Sequence, residues 1–380
     1  MGADLSTTTW VLVALAGISL LLFLYPYLLY PLALRLMSKR GFRLAPVELT
    51  VSLLFCAYNE IECLPGKLQN LRELKRIHPA LEILVYDDAS SDGTYQLLAR
   101  NQDLLTVIAG PGRMGKAVGM KTLAPQARGD ILIFTDANII LSTDAIERAL
   151  PYYGNEDVGG LCCTMRTEVA AGSATSSVGS SFVALDDRLQ QLESATGNVM
   201  GATGGLFSIR RELYPSFSDT VQDDFMVSMS VIFQGRRLVK APDVIGYEKV
   251  VARSDEEFRR KVRIGARAYH THACMRRNVR RLPRRDRFKY YSRKVLRWYG
   301  GFFLMLAGLF TLAAVATVSI KLLVGLAAAS LIGVLSMQLA RGGPLASMRE
   351  ILLALIATLT GVFSGMRGRT YATWAPAKSR

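Results

Sequence analysis

The chain has 380 residues, a net charge of +15 and half its residues hydrophobic, which allows one large or two small domains with a sizeable core. Its five cysteines, Cys56, Cys63, Cys162, Cys163 and Cys274, lack the paired spacing of a zinc site and are odd in number, so they read as free thiols in a reducing compartment. The charge is uneven: Arg253 to Arg297 holds 17 Lys/Arg against 4 Asp/Glu, and the remainder is close to neutral.

Trp10 to Leu34 carries no charge and is long enough to cross a bilayer, which takes about 20 apolar residues. It is too long for a signal-peptide core and no small-residue cleavage site follows it, so it reads as a retained anchor, kinked or ended at Pro26 and Pro31. Asp4 precedes it, and Arg35, Lys39, Arg40 and Arg43 follow. The excess of cations after the span places the N-terminus outside and the next domain in the cytoplasm.

Four short apolar runs come next: Leu49 to Ala57, Leu81 to Tyr86, Leu104 to Ala109 and Ile131 to Thr135. Helical stretches at Pro65 to Ile77, Gly93 to Arg100 and Gly115 to Ala127 alternate with them. This alternation predicts an α/β domain with a mostly parallel sheet, and runs apolar on both faces predict strands buried on both sides.

Acidic motifs fall at the ends of these runs, where a parallel sheet binds its ligand. Cys56-Ala57-Tyr58-Asn59-Glu60 offers an aromatic ring beside acceptor side chains, suited to a nucleobase and its ribose, and equally to an ordinary helix start. Asp87-Asp88 precedes a Ser/Asp/Gly turn; capping explains Ser91, Asp92 and Gly93, but not two carboxylates ending an apolar strand. Arg113-Met114-Gly115-Lys116-Ala117 can bring a cation and a bare backbone to a diphosphate, or be a hinge with two solvated cations; it lacks P-loop spacing. The buried run ending in Asp136-Ala137-Asn138 delivers two oxygen ligands suited to Mg²⁺ or Mn²⁺ shared with substrate phosphates. Gly201-Ala202-Thr203-Gly204-Gly205 lines a pocket or turns a corner. Asp223-Asp224 can supply a base for an attacking hydroxyl, or stabilise a helix start.

Beyond the domain, Phe258, Val262, Ala266 and Tyr269 recur at helical spacing among arginines, which predicts a basic amphipathic helix on an anionic membrane surface. Nucleic acid is the poorer partner, because the block runs directly into apolar sequence and lacks interleaved stacking aromatics. His270 and His272 read as surface or packing residues. Trp298 to Ser319, Leu322 to Ala340 and Ile351 to Met366 are three further apolar runs, the last short for a span. Three crossings would put Arg367, Arg369, Lys378 and Arg380 outside, against the charge rule, unless one run is re-entrant or lies in the interface.

Taken in order, Tyr58-Asn59-Glu60, Asp87-Asp88 to Thr94, Arg113 to Ala117, Thr135-Asp136-Ala137-Asn138, the glycine loop and Gln222-Asp223-Asp224 resemble the family 2 glycosyltransferases over roughly Leu49 to Val251. The resemblance implies a GT-A, Rossmann-like fold at residues 48–251; the apolar and basic runs around it give an anchor at 1–40, basic interface helices at 252–297 and transmembrane segments at 298–370. It implies inverting transfer from a nucleotide-sugar, UDP in the first place, with Mg²⁺ or Mn²⁺. Ala57, Tyr58, Glu60, Asp88, Lys116 and Asp136 would then contact the donor, Asp136 and Asn138 the metal, and Gly204, Gly205 and Arg263 the acceptor. Asp224 matches the family's base, with Asp223 beside it. Two departures stand out: Asn138 replaces the last Asp of the family's D-x-D, and the Gln-x-x-Arg-Trp motif of processive members keeps only Arg263 in its nearest match, Arg260 to Ile264. The expected enzyme therefore adds one or a few sugars to a lipid-linked or glycan acceptor at the plasma membrane, in cell-surface polysaccharide assembly. A processive, exporting synthase and an inactive scaffold of the same fold are the alternatives.

Overall fold

A computed structural model describes residues 6–168, 174–249, 254–340, 342–371 and 373. Asp4, residues 250–253 at the predicted domain boundary, Lys378 and Arg380 lie outside the described residues.

The chain opens with α1 (Thr7–Leu24) and α2 (Leu29–Leu36), separated by the Pro26 turn. The alternating block follows: β1 (Val51–Ala57), α3 (Leu64–Ile77), β2 (Glu82–Asp87), α4 (Thr94–Ala99), β3 (Thr106–Ala109), α5 (Lys116–Leu123), β4 (Ile131–Thr135), β5 (Ile140–Leu141), α6 (Ala145–Tyr153) and β6 (Val158–Glu168). Then come α7 (Ala174–Ala195), β7 (Leu206–Arg210), α8 (Asp223–Phe233), β8 (Arg237–Lys249), α9 (Ser254–Arg281) and α10 (Arg284–Tyr290). A π-turn over Tyr291–Val295 and a single turn, α11 (Leu296–Trp298), lead into α12 (Gly300–Val318), α13 (Ile320–Leu339) and α14 (Gly343–Met366).

The eight strands among the described residues form one sheet in the order β3-β2-β1-β4-β7-β6-β8-β5. The expected parallel run holds across β3, β2, β1 and β4, and β6 pairs parallel with β8. The sheet is mixed, because β7 pairs antiparallel with both β4 and β6, and β5 with β8. Alternate residues of β1 serve two cores: Leu53 and Phe55 pack beneath α3, and Leu54 packs with α5 and α8. That two-sided burial is why the strands read as unbroken apolar runs. The parallel half aligns the C-terminal ends of β1, β2 and β4 on one edge, where Ala57, Asp87 and Thr135 stand.

Among the described residues, four helices, α1, α12, α13 and α14, are long and apolar enough to cross a membrane. The last begins at Gly343, ahead of the predicted run, and so reaches 24 residues. The predicted apolar face of the basic helix α9 packs on α14, so closely that a Cβ on Gly361 would collide with the Val262 carbonyl and one on Gly365 would sit 2.6 Å from that of Ala266. Glycines at these crossing points allow backbone-to-backbone contact between the two helices.

Candidate active site

The turns after β1 and β2 are stitched together by their own polar side chains. The Asn59 amide donates to Ser90 Oγ (3.0 Å), that of Glu60 to Thr94 Oγ1 (2.9 Å) and that of Ile61 to Asp92 Oδ2 (3.1 Å). The Ser91 amide returns to Asn59 Oδ1 at 2.8 Å. The Ser/Asp/Gly turn is therefore mainly a brace, and Asn59 takes a left-handed φ of 52° to reach it.

Asp88 is buried, and its own amide donates to the Ala57 carbonyl at 2.9 Å. Its carboxylate accepts the amides of Met114 (2.7 Å) and Gly115 (2.9 Å) and an Arg113 N–H (2.8 Å). Asp88 thus fixes the loop that launches α5. Gly115, at φ 93°, turns the chain so that Lys116 starts the helix. The Arg113 guanidinium lies 3.0 Å from the centre of the Tyr58 ring, so it joins the two groups expected to meet a nucleobase. Glu60, one turn on, accepts the Cys63 thiol through its side chain at 3.3 Å.

From α5, Lys116 Nζ reaches Asp136 Oδ1 at 2.5 Å, Asp223 Oδ2 at 3.8 Å and the Gly204 carbonyl at 3.5 Å. The Asp136 amide donates to the Gly205 carbonyl at 3.3 Å. Arg267 of α9 stands 3.7 Å from Asp223 and donates to the Val221 carbonyl at 2.7 Å. A Cβ on Gly204 would collide with Asp224 Oδ2, so only glycine lets this loop lie against that carboxylate. One cluster thus gathers Lys116, Asp136, Asp223, Asp224, Gly204 and Gly205 from four separate stretches of chain.

The electrostatics separate the members of this cluster. Burial pushes the Asp224 carboxyl up, and the neighbouring Asp223 charge pushes further; Lys116 and Arg267 pull the other way and leave it at about 6. For Lys116 burial favours the neutral amine, but Asp136, Asp223 and Asp224 outweigh it and hold the ammonium firmly charged. Beneath them, burial raises the Cys56 thiol well above its ordinary value, which keeps it inert.

Asp136 and Asn138 fit a divalent ion by their chemistry. Both present oxygen, and Asn138 Oδ1 is buried without a hydrogen-bond partner among the described residues, while its amide nitrogen donates to Glu248 Oε1 at 3.4 Å. Among the described residues no group of three Asp, Glu, His or Cys side chains gathers for a metal, so further ligands would come from a substrate phosphate and water.

Arg263 lies on α9 one turn before Arg267, and it is Arg267 that reaches the acidic pair. Sequence reasoning gave Arg267 no site role because it sat inside a basic run read as a face on an anionic membrane surface. It also passed over Lys67, fully buried under β4, whose ammonium donates to the Ile139 carbonyl at 2.6 Å and which burial pulls down to about 7. An Arg-Trp pair also occurs at Arg297-Trp298, with Lys294 three residues before the arginine, where the processive motif has Gln. Trp298 is buried edge-on to His272, with ring centres 5.5 Å apart, and Arg297 donates to Asp186 at 2.9 Å.

This curled, mixed sheet with a carboxylate-lined edge is a GT-A domain. A mannosyltransferase from Pyrobaculum calidifontis, solved with GDP-Man and Mn²⁺, shares the fold at a TM-score of 0.73, with 22% identity over 94% of this chain and 99% of that one. Residues 52–216, a little under half of the chain, match the model described as glycosyl transferase family 2. The beta-monoglucosyldiacylglycerol synthase of Trichormus variabilis is 26% identical over 183 residues, 46% of this chain and 39% of that protein. An uncharacterized glycosyltransferase of Bacillus subtilis is 31% identical over 108 residues, 28% of this chain and 27% of that one. The chain therefore spans well under half the length of either curated relative.

Proposed function

We propose that the protein is an inverting, membrane-bound hexosyltransferase that moves a sugar from a nucleoside diphosphate donor, UDP first, to a hydroxyl presented at the bilayer surface. The carrying observation is the Lys116 bridge between Asp136 and Asp223, 2.5 and 3.8 Å long, with Asp224 beside it. It draws a donor-side and an acceptor-side carboxylate into one cluster.

Tyr58 and Asp88, with Arg113 between them, form the base-recognition end. Lys116, at the start of α5, meets the diphosphate. Asp136 and Asn138 would hold the divalent ion, which supplies countercharge to the departing diphosphate. Asp224, as carboxylate, accepts the acceptor hydroxyl proton. The freed oxygen bonds to the anomeric carbon from the face opposite the diphosphate, and the bond from that carbon to the diphosphate breaks. Asp223 holds Lys116 and Arg267 in place. Gly204, Gly205 and Arg263 border the acceptor.

A lipid or lipid-linked acceptor is favoured because α8, which carries Asp224, packs on the segment that enters α12: Lys294 Nζ sits 4.9 Å from the centre of the Phe225 ring, next to Asp224 in sequence. The name of the Trichormus relative points to the same substrate class. The cations of Arg35 to Arg43 favour a cytoplasmic catalytic domain at the plasma membrane. The exposed arginines of α9 and α10, among them Arg276, Arg277, Arg280 and Arg284, would meet anionic lipid; binding to anionic vesicles that ignores salt would refute this.

A donor screen by thermal shift, with UDP- and GDP-sugars and with or without Mn²⁺, tests the donor. Transfer that survives in Asp224→Asn refutes the mechanism. Arg297-Trp298 favours a second reading, polymer synthesis; a ladder of long product from one donor would establish it, and single addition would exclude it.

A further inference from the structure

A buried ionic cluster lies outside the catalytic machinery. Arg293, in the π-turn before the α12 span, is 2% exposed. It donates to Asp186 Oδ2 at 2.8 Å and to Glu193 Oε2, both on α7. Arg297 donates to the other Asp186 oxygen at 2.9 Å, and Tyr30 of α2 donates its hydroxyl to Glu193 Oε1. Glu193 and Tyr30 are fully buried. The attraction of Arg293, Arg297 and Lys294 overcomes burial and holds Asp186 well below the usual carboxylate range. Removing one partner from so buried a set leaves a charge uncompensated, so it is costly to keep unless its geometry is used.

The acceptor loop hangs from this cluster. Glu193 Oε2 also accepts the Met200 amide at 3.0 Å. Gln190, 2% exposed, spends its two amide hydrogens on Asp186 Oδ2 and on Thr203 Oγ1, each at 3.1 Å. Lys289 Nζ closes the near end by donating to the carbonyls of Glu193 (2.8 Å) and Asn198 (3.2 Å). Thr203 precedes Gly204, the residue that lies against Asp224.

We infer that Asp186, Gln190 and Glu193 are positioning residues: through Arg293, Arg297 and Tyr30 they set the 198–205 loop against Asp224 from the membrane-entering segments. The geometry of the base then depends on how the domain is seated on its helices. This inference rests on the reading of Asp224 as the base. A loosened loop admits water to Asp224. The groups facing that carboxylate, Asp223, Lys116, Arg267 and Gln222, stay where they are, so its titration falls towards the ordinary carboxylate value.

The test uses the full chain in nanodiscs and needs no substrate. Gln190→Leu cuts the link to Thr203, and with it the Gln190 bond to Asp186, while leaving every ion pair intact; Asp186→Asn weakens the cluster itself. Hydrogen exchange over residues 198–205 is compared with exchange over β1 and β4, and Asp224 is titrated by the pH dependence of carbodiimide labelling read by mass spectrometry. Expected for Gln190→Leu are an unchanged unfolding temperature, loop exchange about fivefold faster, as for one lost hydrogen bond, and a lower labelling midpoint for Asp224. Unchanged loop exchange and midpoint in a folded Gln190→Leu would overturn the inference; if Asp186→Asn does not fold, Gln190→Leu decides alone. A wild-type midpoint near the ordinary aspartate value, with Asp224→Asn fully active, would instead sink the base assignment, whatever the loop does.

Discussion

Replacing Asp224 by Asn should stabilise the folded protein above pH 6 while abolishing transfer. The wild-type carboxyl titrates at about 6 in the fold against 3.8 for an ordinary aspartate, because it is buried beside Asp223. A difference of about two pH units corresponds to ~3 kcal/mol. The folded state binds this proton more tightly than the unfolded chain does, so the wild type loses stability as pH rises from about 4 to about 6, and the full cost persists above that. Asn at the same place carries no charge and escapes the cost. The difference in unfolding temperature between variant and wild type should thus be near zero at pH 4, grow through pH 5, and reach several degrees at pH 7.5. Differential scanning fluorimetry in detergent across that range measures it. A difference independent of pH, or a wild type more stable at pH 7.5, would refute the claim that this buried carboxylate is strained for use.

The rate should follow the same group. kcat/KM falls as pH drops below about 6, because protonated Asp224 cannot accept the hydroxyl proton; a flat profile down to pH 5 would contradict this. Asp136→Ala should remove the Mn²⁺ dependence of nucleotide binding, read by calorimetry with and without the ion, and unchanged affinity with Mn²⁺ would clear Asp136 of the metal role. Gly204→Ala pushes a methyl into Asp224, so the turnover rate should fall by about a hundredfold while donor affinity holds, a split visible in steady-state kinetics.

Much of the donor half was legible because each piece is local. The apolar runs of β1, β2 and β4 and the acids that end them announce themselves within ten residues, and parallel pairing then aligns the ends. The antiparallel insertion of β7 between β4 and β6 was not legible, since nothing in Leu206–Arg210 specifies its partners. Asp88 shows a subtler limit. Its type and place were readable, but its bonds to the amides of Met114 and Gly115 depend on a loop 26 residues away.

The basic block shows why charge counted along the chain misleads. Read as a row, Arg253 to Arg297 is a membrane-facing surface of +13. In the fold it divides in two. Arg276, Arg277, Arg280 and Arg284 are exposed and free to meet headgroups. Arg267, Lys289 and Arg293 are turned inward and buried, the first onto Asp223 and the others onto α7. A buried guanidinium survives only where acceptors surround it, and those acceptors come from Asp186, Glu193 and Asp223, 44 or more residues away in sequence. The inward group therefore joins the membrane-entering segment to both the Asp223-Asp224 pair and the 198–205 loop. Under the proposed function, an acceptor arriving in the plane of the bilayer needs Asp224 held at a fixed height above that plane, and this inward half of the block is the part of the chain placed to hold it.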